Sequence, residues 1–278
     1  RRVGIENLDL RGPAGTLFGF LGPNGSGKST TIRVLMGLLR PTAGSARVFD
    51  LDAWRCSHQI KAEVGYLPGD LRLYPFWTCD SALRLISKVR RRDVCEAGRE
   101  LAEEFELEID VPVRSMSRGM RQKLGLILAL AHRPKLLILD EPTSGLDPIM
   151  QKRLLRRLRE LASNGHTVFF SSHTLSEVES LCYRVAILRR GRLVADESLS
   201  TLRQKAKRSV TIRWRSNEPA SGIAVPDHLD VLERRDSEWL AEMSGTSARL
   251  LRWAATQPIE DLSIGEPDLA RLFEKYYD

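Results

Sequence analysis

The sequence predicts an α/β fold: a largely parallel sheet core with an inserted helical subdomain and a small C-terminal α+β appendage. Three observations support this fold class. The apolar strand TLFGFLG (16–22) leads into a Gly-rich loop and then into a helical pattern. Strand-like and helix-like segments alternate again over residues 135–197, as they do in parallel sheets. Between these two parts, residues 78–133 are predicted to be mostly helical.

The first 50 residues are interpreted as two strands, the Gly-rich loop, a helix over 28–39 and a further strand. Three helices are predicted in the helical subdomain. The first begins after Thr78, a suitable N-cap, and the third stops at Pro134. The predicted elements of the alternating region are KLLILDE (135–141), a helix from Pro148 to Asn164, TVFFSS (167–172), a helix after His173 and the hairpin RVAILRRGRLVADE (184–197).

The sequence changes in character near Lys205, where short strand-like segments replace the alternating pattern. SVTIRW, LDVLERR and EWLAEMS are predicted strands, and TSARLLRWAATQ and EPDLARLFEKYYD are predicted helices. We therefore predict two domains: residues 1–204, with a helical subdomain at about 71–133, and an accessory α+β domain over residues 205–278.

The composition of the 278 residues, 42% hydrophobic and 28% charged, is that of a soluble globular protein. The longest uncharged apolar run, Leu124–Ala131, is far shorter than the roughly 20 residues of a membrane span. No signal peptide is apparent. Because the chain starts at Arg1 without Met, we expect that residues are missing upstream.

Four scattered cysteines without a C-x-x-C pair indicate buried thiols in a reducing compartment, and not disulfides or a metal site. The net charge is +7, with basic clusters such as KRLLRRLR (152–159). Solvated helix faces account for most of these clusters, and a preference for acidic membrane surface or nucleic acid is the alternative.

The segment GPNGSGKST (22–30) fits G-x-x-x-x-G-K-[ST] between a strand and a helix, the context of a phosphate-binding P-loop. Its glycines let successive backbone N–H groups point at phosphate oxygens together with the helix N-terminus. Lys28 would neutralise the β and γ oxygens, and Ser29 would place its hydroxyl on Mg²⁺. The predicted nucleotide-binding residues are Gly22, Pro23, Asn24, Gly25, Ser26, Gly27, Lys28, Ser29 and Thr30.

The segment LLILDE (136–141) supplies two acids at the carboxyl end of a buried strand, where α/β sheets bind ligands. Asp140 is predicted to hold the Mg²⁺ shell, and Glu141 to orient or deprotonate an attacking water. No N-K-x-D motif for reading guanine is present, which disfavours a GTPase.

Two further polar turns open helices. SMSRGMRQK (115–123) contains Ser117, a good N-cap, and Gly119, which allows close backbone approach. Asp147 is an N-cap with proline at the first helical position. Each is by itself an ordinary helix start.

Taken together, these segments closely resemble the ATP-binding cassette (ABC) ATPases. GPNGSGKST looks like the Walker A loop and LLILDE like Walker B. MSRGM looks like the signature segment, SGLD (144–147) like the D-loop, and His173 in FFSSH like the switch histidine. The order and spacing of the five motifs match over residues 5–200.

The resemblance implies that each ATP lies between the Walker A loop of one copy and the signature turn of another. Ser117 and Gly119 would then contact the γ-phosphate bound to the partner, Asp147 would serve the D-loop, and His173 would contact the γ-phosphate beside catalytic Glu141. The implied cofactors are ATP and Mg²⁺. Arg118 replaces the usual second glycine, and a basic residue there is familiar in small two-subunit exporters.

The predicted function is the ATP-binding and ATP-hydrolysing subunit of a membrane exporter, working as a homodimer or with a homologous cassette. It would serve a separate transmembrane permease at the cytoplasmic face of the membrane. The alternatives are a soluble ABC-type ATPase acting on nucleic acid or ribosomes, and a non-hydrolysing regulatory module. The family's adenine-stacking aromatic is expected in the missing N-terminal segment, upstream of IENLDL (5–10).

One segment departs from the resemblance. GYLPGDLRLYP (65–75) occupies the place of the family's Q-loop, but Gly69 stands where a Gln or Glu usually contacts Mg²⁺. Asp70 is either a substitute ligand or a solvated turn acid. We hypothesise that Gly69 loosens the coupling between Mg²⁺ and the permease-facing loop.

Overall fold

The computed structural model describes residues 4–215 and 223–277. The chain divides into two compact units, residues 1–196 and 197–278. The division lies eight residues before the expected boundary at 204/205, because the helix α8 (Leu199–Lys205) belongs to the second unit. Among the described residues, no helix is long and apolar enough to cross a bilayer.

A six-stranded sheet in the order β4-β5-β6-β1-β7-β8 forms the centre of the first unit. Its strands are β1 (Leu17–Leu21), β4 (Val64–Leu67), β5 (Leu136–Asp140), β6 (Thr167–Ser172), β7 (Arg184–Arg189) and β8 (Arg192–Ser198). The first five strands in the sheet order pair in parallel, so their carboxyl ends share one edge. A short pair, β2 (Arg47–Val48) and β3 (Leu51–Asp52), lies outside this sheet.

Seven α-helices of the first unit are described. They are α1 (Lys28–Leu35), α2 (Ser57–Glu63), α3 (Cys79–Arg90), α4 (Cys95–Glu104), α5 (Arg118–Leu130), α6 (Pro148–Ser163) and α7 (Leu175–Leu181). The helical subdomain consists of α3, α4 and α5. The Thr78 side chain caps α3 in a reciprocal capping box with Ser81, as its sequence position predicts.

The second unit has a four-stranded antiparallel sheet in the order β10-β11-β9-β12. Its elements are α8, β9 (Arg208–Trp214), β10 (Leu229–Arg234), β11 (Glu238–Met243), α9 (Ser247–Ala254), β12 (Ile259–Pro267) and α10 (Leu269–Tyr277). The rings of Trp214 and Trp239 meet edge to face at 4.8 Å in its core, and both side chains are almost fully buried.

Two expectations for the elements are wrong. Of the two strands predicted before the Gly-rich loop, the second forms as β1, but the first is absent from the described residues 4–16, where Asn7 has a left-handed φ of 48° that interrupts an extended backbone. Leu8 and Leu10 nevertheless pack against the core of the first unit. The strand β12 was not predicted, because its two register shifts against β9 break the alternation of apolar residues.

Candidate functional site

The phosphate loop joins β1 to α1 and is held at both sides by backbone hydrogen bonds. Gly22 N–H donates to the Ser172 carbonyl at 3.3 Å, and Gly191 N–H donates to the Ser26 carbonyl at 2.8 Å. A Cβ on Gly22 would lie 2.4 Å from the Leu188 carbonyl oxygen, so only glycine fits there. Gly27 begins α1 with a φ of 112°, a conformation that also favours glycine.

The nine predicted nucleotide-binding residues of this loop have three levels of exposure. The exposed residues are Pro23, Asn24, Gly25 and Ser29; Gly27 and Thr30 are half-buried; Gly22, Ser26 and Lys28 are buried. Among the described residues, Ser26 Oγ is buried without a hydrogen-bond partner. The loop therefore has exposed residues at its surface and the positively charged side chain of Lys28 buried beneath them.

Lys28 connects the loop to the end of β5. Its ammonium donates to the Gly22 carbonyl at 2.5 Å and lies 3.2 Å from Glu141 Oε1. The second carboxylate oxygen of Glu141 lies 2.5 Å from His173 Nδ1. Lys28, Glu141 and His173, which are remote in the sequence, therefore form one continuous chain of polar contacts at the carboxyl edge of the sheet.

Asp140 lies beside this chain and is almost fully buried. The Ser171 hydroxyl donates to its Oδ1 at 2.6 Å, which fixes the carboxylate and leaves the second oxygen free of that bond. Ser29 is exposed in the first turn of α1, within the same loop region. Hydroxyl and carboxylate oxygens are hard donors that suit Mg²⁺.

Ser117, Gly119 and Asp147 form a second group of predicted residues, centred on the helix starts of α5 and α6. The Ser117 hydroxyl accepts from Met120 N–H at 3.2 Å, which caps α5. Asp147 accepts from the N–H groups of Met150 and Ile149, and these bonds lower the pKa of its carboxyl group. A Cβ on Gly119 would lie 2.8 Å from the Gly145 carbonyl oxygen, so the two turns approach closely.

Gly69 lies directly against Asp140. A Cβ added to Gly69 would be 3.1 Å from Asp140 Oδ2, closer than ordinary van der Waals contact. Asp70, in contrast, is exposed and forms an ion pair with Arg72 at 2.9 Å. The geometry favours Asp70 as a solvated turn acid.

Two residues that support the site are not predicted by any sequence motif. Ser171 holds Asp140, and Gln122 of α5 donates to the carbonyl oxygens of Glu141 at 3.3 Å and Pro142 at 3.0 Å. In the sequence these residues lie only in the polar end of TVFFSS and in the polar first turns of α5. Neither pattern indicates which distant residue the side chain contacts.

The phosphate loop follows the buried strand β1, and the acid pair Asp140–Glu141 stands at the carboxyl end of β5 in the same sheet. This combination defines a P-loop nucleotide-binding protein. Comparison with known proteins narrows this class. A family model described as ABC transporter matches residues 5–144. The bacitracin transport ATP-binding protein BcrA of Bacillus licheniformis is 34% identical over 82% of this chain and 75% of that protein.

Three further comparisons agree. Nod factor export ATP-binding protein I of Cupriavidus metallidurans is 36% identical over 70% of this chain and 66% of that protein. A solved ATP-binding subunit of an ABC transporter matches at a TM-score of 0.67 and 30% identity, over 72% of this chain and 85% of that chain. The dimeric cassette MJ0796 bound to ADP and Pi shares the fold, with a TM-score of 0.63 and 24% identity over 70% and 90% of the two chains.

The chain belongs to the ABC transporter family, as its motifs predict. It is an ATP-binding subunit of this family and an ATPase. The fold class is likewise confirmed: the parallel sheet and helical subdomain are those of ABC cassettes.

Proposed function

We propose that two copies of this chain, or one copy and a homologous cassette, bind two ATP molecules at shared sites and power a membrane exporter. The observation that carries this proposal is the chain of contacts from Lys28 through Glu141 to His173. These contacts join the proposed phosphate-binding cation Lys28, the proposed base Glu141 and the proposed γ-phosphate contact His173 in one site.

Glu141 is the proposed general base. Its carboxylate oxygens contact Lys28 Nζ and His173 Nδ1. A γ-phosphate at the loop would compete with Glu141 for the Lys28 ammonium and would free one carboxylate oxygen for water. His173, which is more than half exposed, would then contact a γ-phosphate oxygen.

Asp140 and Ser29 are the proposed Mg²⁺ residues. Among the described residues, no group of three His, Cys, Asp or Glu side chains is arranged to hold a metal. Mg²⁺ retains several waters and is commonly bound through one or two carboxylates plus substrate phosphates, so a two-residue site is sufficient. When bound, Mg²⁺ would neutralise charge on the β and γ oxygens.

Ser117 and Gly119 are the proposed contacts to the γ-phosphate bound by the other copy. Ser117 is exposed at the N-terminus of the 13-residue helix α5, where backbone N–H groups and the helix dipole favour an anion. Asp147, in the adjacent D-loop, would face the same shared site.

The exporter role is supported by two relatives that are named for bacitracin transport and Nod factor export. A separate permease would be needed, and the chain would bind it at the cytoplasmic face of the membrane. ATP-driven closure of two cassettes and reopening after hydrolysis would move that permease. The alternative role on nucleic acid is not favoured, because these relatives are transport proteins.

The exporter role can be tested with the reading frame beside this gene. We expect it to encode a protein with about six apolar spans, each of roughly 20 residues. That protein should co-purify with this chain in detergent and should change its rate of ATP hydrolysis. If the membrane protein neither co-purifies nor alters the rate, while ATP hydrolysis itself is intact, the exporter role is wrong and the ATPase assignment stands.

A further inference from the structure

The backbone of Glu141 has an unusual conformation that its neighbours hold in place. Its φ of 51° is in the left-handed region, which costs free energy for a residue with a side chain. Such a conformation persists only where the surroundings define it. Its N–H group donates to both the carbonyl and the hydroxyl oxygen of Ser171, each at 3.2 Å.

The carbonyl group of Glu141 is bound from the other side. It accepts from Ser144 N–H at 3.1 Å and from the Gln122 side chain at 3.3 Å. Gln122 also donates to the next carbonyl, that of Pro142, at 3.0 Å. One amide of α5 therefore bridges two successive carbonyls of the loop that carries the proposed base.

A second bridge joins the same two elements. The Arg118 guanidinium donates to Ser144 Oγ at 2.7 Å. A Cβ on Gly145 would lie 3.2 Å from Arg118 Cγ, so the side chain of Arg118 lies along the loop backbone. Arg118 and Gln122 are one turn apart on α5, and both bind residues 141–144.

We infer that Gln122 and Arg118 are positioning residues for Glu141. They join the first turns of α5 to the loop 141–147, so that the signature turn and the carboxylate move together. This inference rests on the proposed function, in which Ser117 senses ATP bound by the other copy. Closure on that ATP would then set Glu141 in the copy's own site, and the two sites would hydrolyse cooperatively.

The first experiment replaces Gln122 by Met, which keeps the side-chain length and removes the donor. We expect kcat to fall about tenfold with KM for ATP changed less than about twofold, because nucleotide contacts remain and only the base moves. The Hill coefficient for ATP should fall towards 1. Gln59→Met, the same chemical change at an exposed position of α2, is the matched control and should change neither value.

The second experiment separates positioning from a general loss of structure. Gln122→Met added to Glu141→Gln should not lower residual single-turnover hydrolysis any further, because Gln122 acts through Glu141. In the same way, Arg118→Ala and Ser144→Ala should each lower kcat, and the double variant should be no worse than either single variant. Arg118→Lys, which retains a charged donor, should recover part of the loss.

Additive losses in both combinations, or an unchanged kcat for Gln122→Met, would overturn the inference. If Gln122→Met fails to fold, Gln122→Glu tests the same contacts, since its carboxylate would face two carbonyl oxygens and should lower kcat more than Arg118→Ala. A separate experiment tests the proposed shared site. If Glu141→Gln does not dimerise with ATP, that site is rejected. The kcat values of the single and double variants still report whether Gln122 positions Glu141.

Discussion

Two loops leave neighbouring parallel strands at the same edge of the sheet, and they differ in how firmly they are held. The loop 141–147 after β5 is bound through its backbone by Ser171 and Gln122 and ends in the capped start of α6. The loop 68–78 after β4 contains the exposed residues Gly69 and Asp70 and the exposed rings of Tyr74 and Phe76. The first loop holds the Glu141 carboxylate in place. The second loop, residues 68–78, has no buried polar side chain.

Gly69, where the sequence departs from the usual family pattern, lies in the second loop beside Asp140. The backbone of the second loop approaches Asp140 so closely that a Cβ would press on its carboxylate. Asp140 is itself held by Ser171 of the neighbouring strand. Asp140, the proposed Mg²⁺ residue, is therefore positioned by Ser171 of β6, and Gly69 leaves space beside its carboxylate.

The largest expected effect is in the firmly held loop. Glu141→Gln removes the proposed base and keeps the shape of the side chain, so ATP should bind normally. ATP turnover should fall by about a hundredfold or more, the usual range for loss of a general base. Steady-state hydrolysis and equilibrium nucleotide binding measure the two quantities, and turnover close to that of the unchanged protein would reject Glu141 as the base.

Lys28→Ala should produce the next largest effect. It removes a buried cation that is expected to bind phosphate oxygens, so ATP affinity should fall roughly ten- to a hundredfold through loss of charge-assisted hydrogen bonds. Titration calorimetry with ATP measures this change. An unchanged dissociation constant would remove Lys28 from the phosphate site.

A smaller effect is expected where the second loop meets Asp140. Gly69→Ala forces the carboxylate to shift by a few tenths of an ångström, and we expect a few-fold rise in the Mg²⁺ concentration needed for half-maximal nucleotide binding. Gly12→Ala is the matched control, because a Cβ on Gly12 meets nothing within 4 Å. Equal Mg²⁺ dependence for the two variants would contradict the close approach.

Asp70→Ala should have the smallest effect. The Asp70 carboxylate is exposed and paired with exposed Arg72, an arrangement that contributes little free energy. Hydrolysis rate and Mg²⁺ dependence should both remain within about twofold of the unchanged protein. A marked loss of Mg²⁺ affinity would restore Asp70 as a substitute ligand.

The parts of the site that could be predicted from the sequence are those defined by local order. A strand, a Gly-rich turn and a helix place Lys28 without reference to the rest of the fold, and apolar residues ending in two acids place Asp140 and Glu141 at a strand end. The contacts of Gln122 and the backbone conformation of Glu141 depend on how α5 approaches the loop. No local pattern encodes that approach.

The same distinction holds for the secondary structure. Helices with a cap and a clear apolar spacing, such as α3 and α6, were predicted close to their observed bounds. The strand β12 was missed because its pairing with β9 is non-local and interrupted by bulges. The first of the two strands predicted before the Gly-rich loop does not form in the described residues, because Asn7 turns the backbone out of the extended region.

The central claim, an ATP site shared by two copies, is tested most directly by sedimentation of Glu141→Gln with and without ATP. We expect a monomer without nucleotide and a dimer retaining one ATP per copy when ATP is present. Adding Ser117→Arg, which places a bulky cation at the exposed start of α5, should abolish the dimer while each monomer still binds ATP. A monomer at all ATP concentrations, or a dimer that tolerates Ser117→Arg, would contradict the claim.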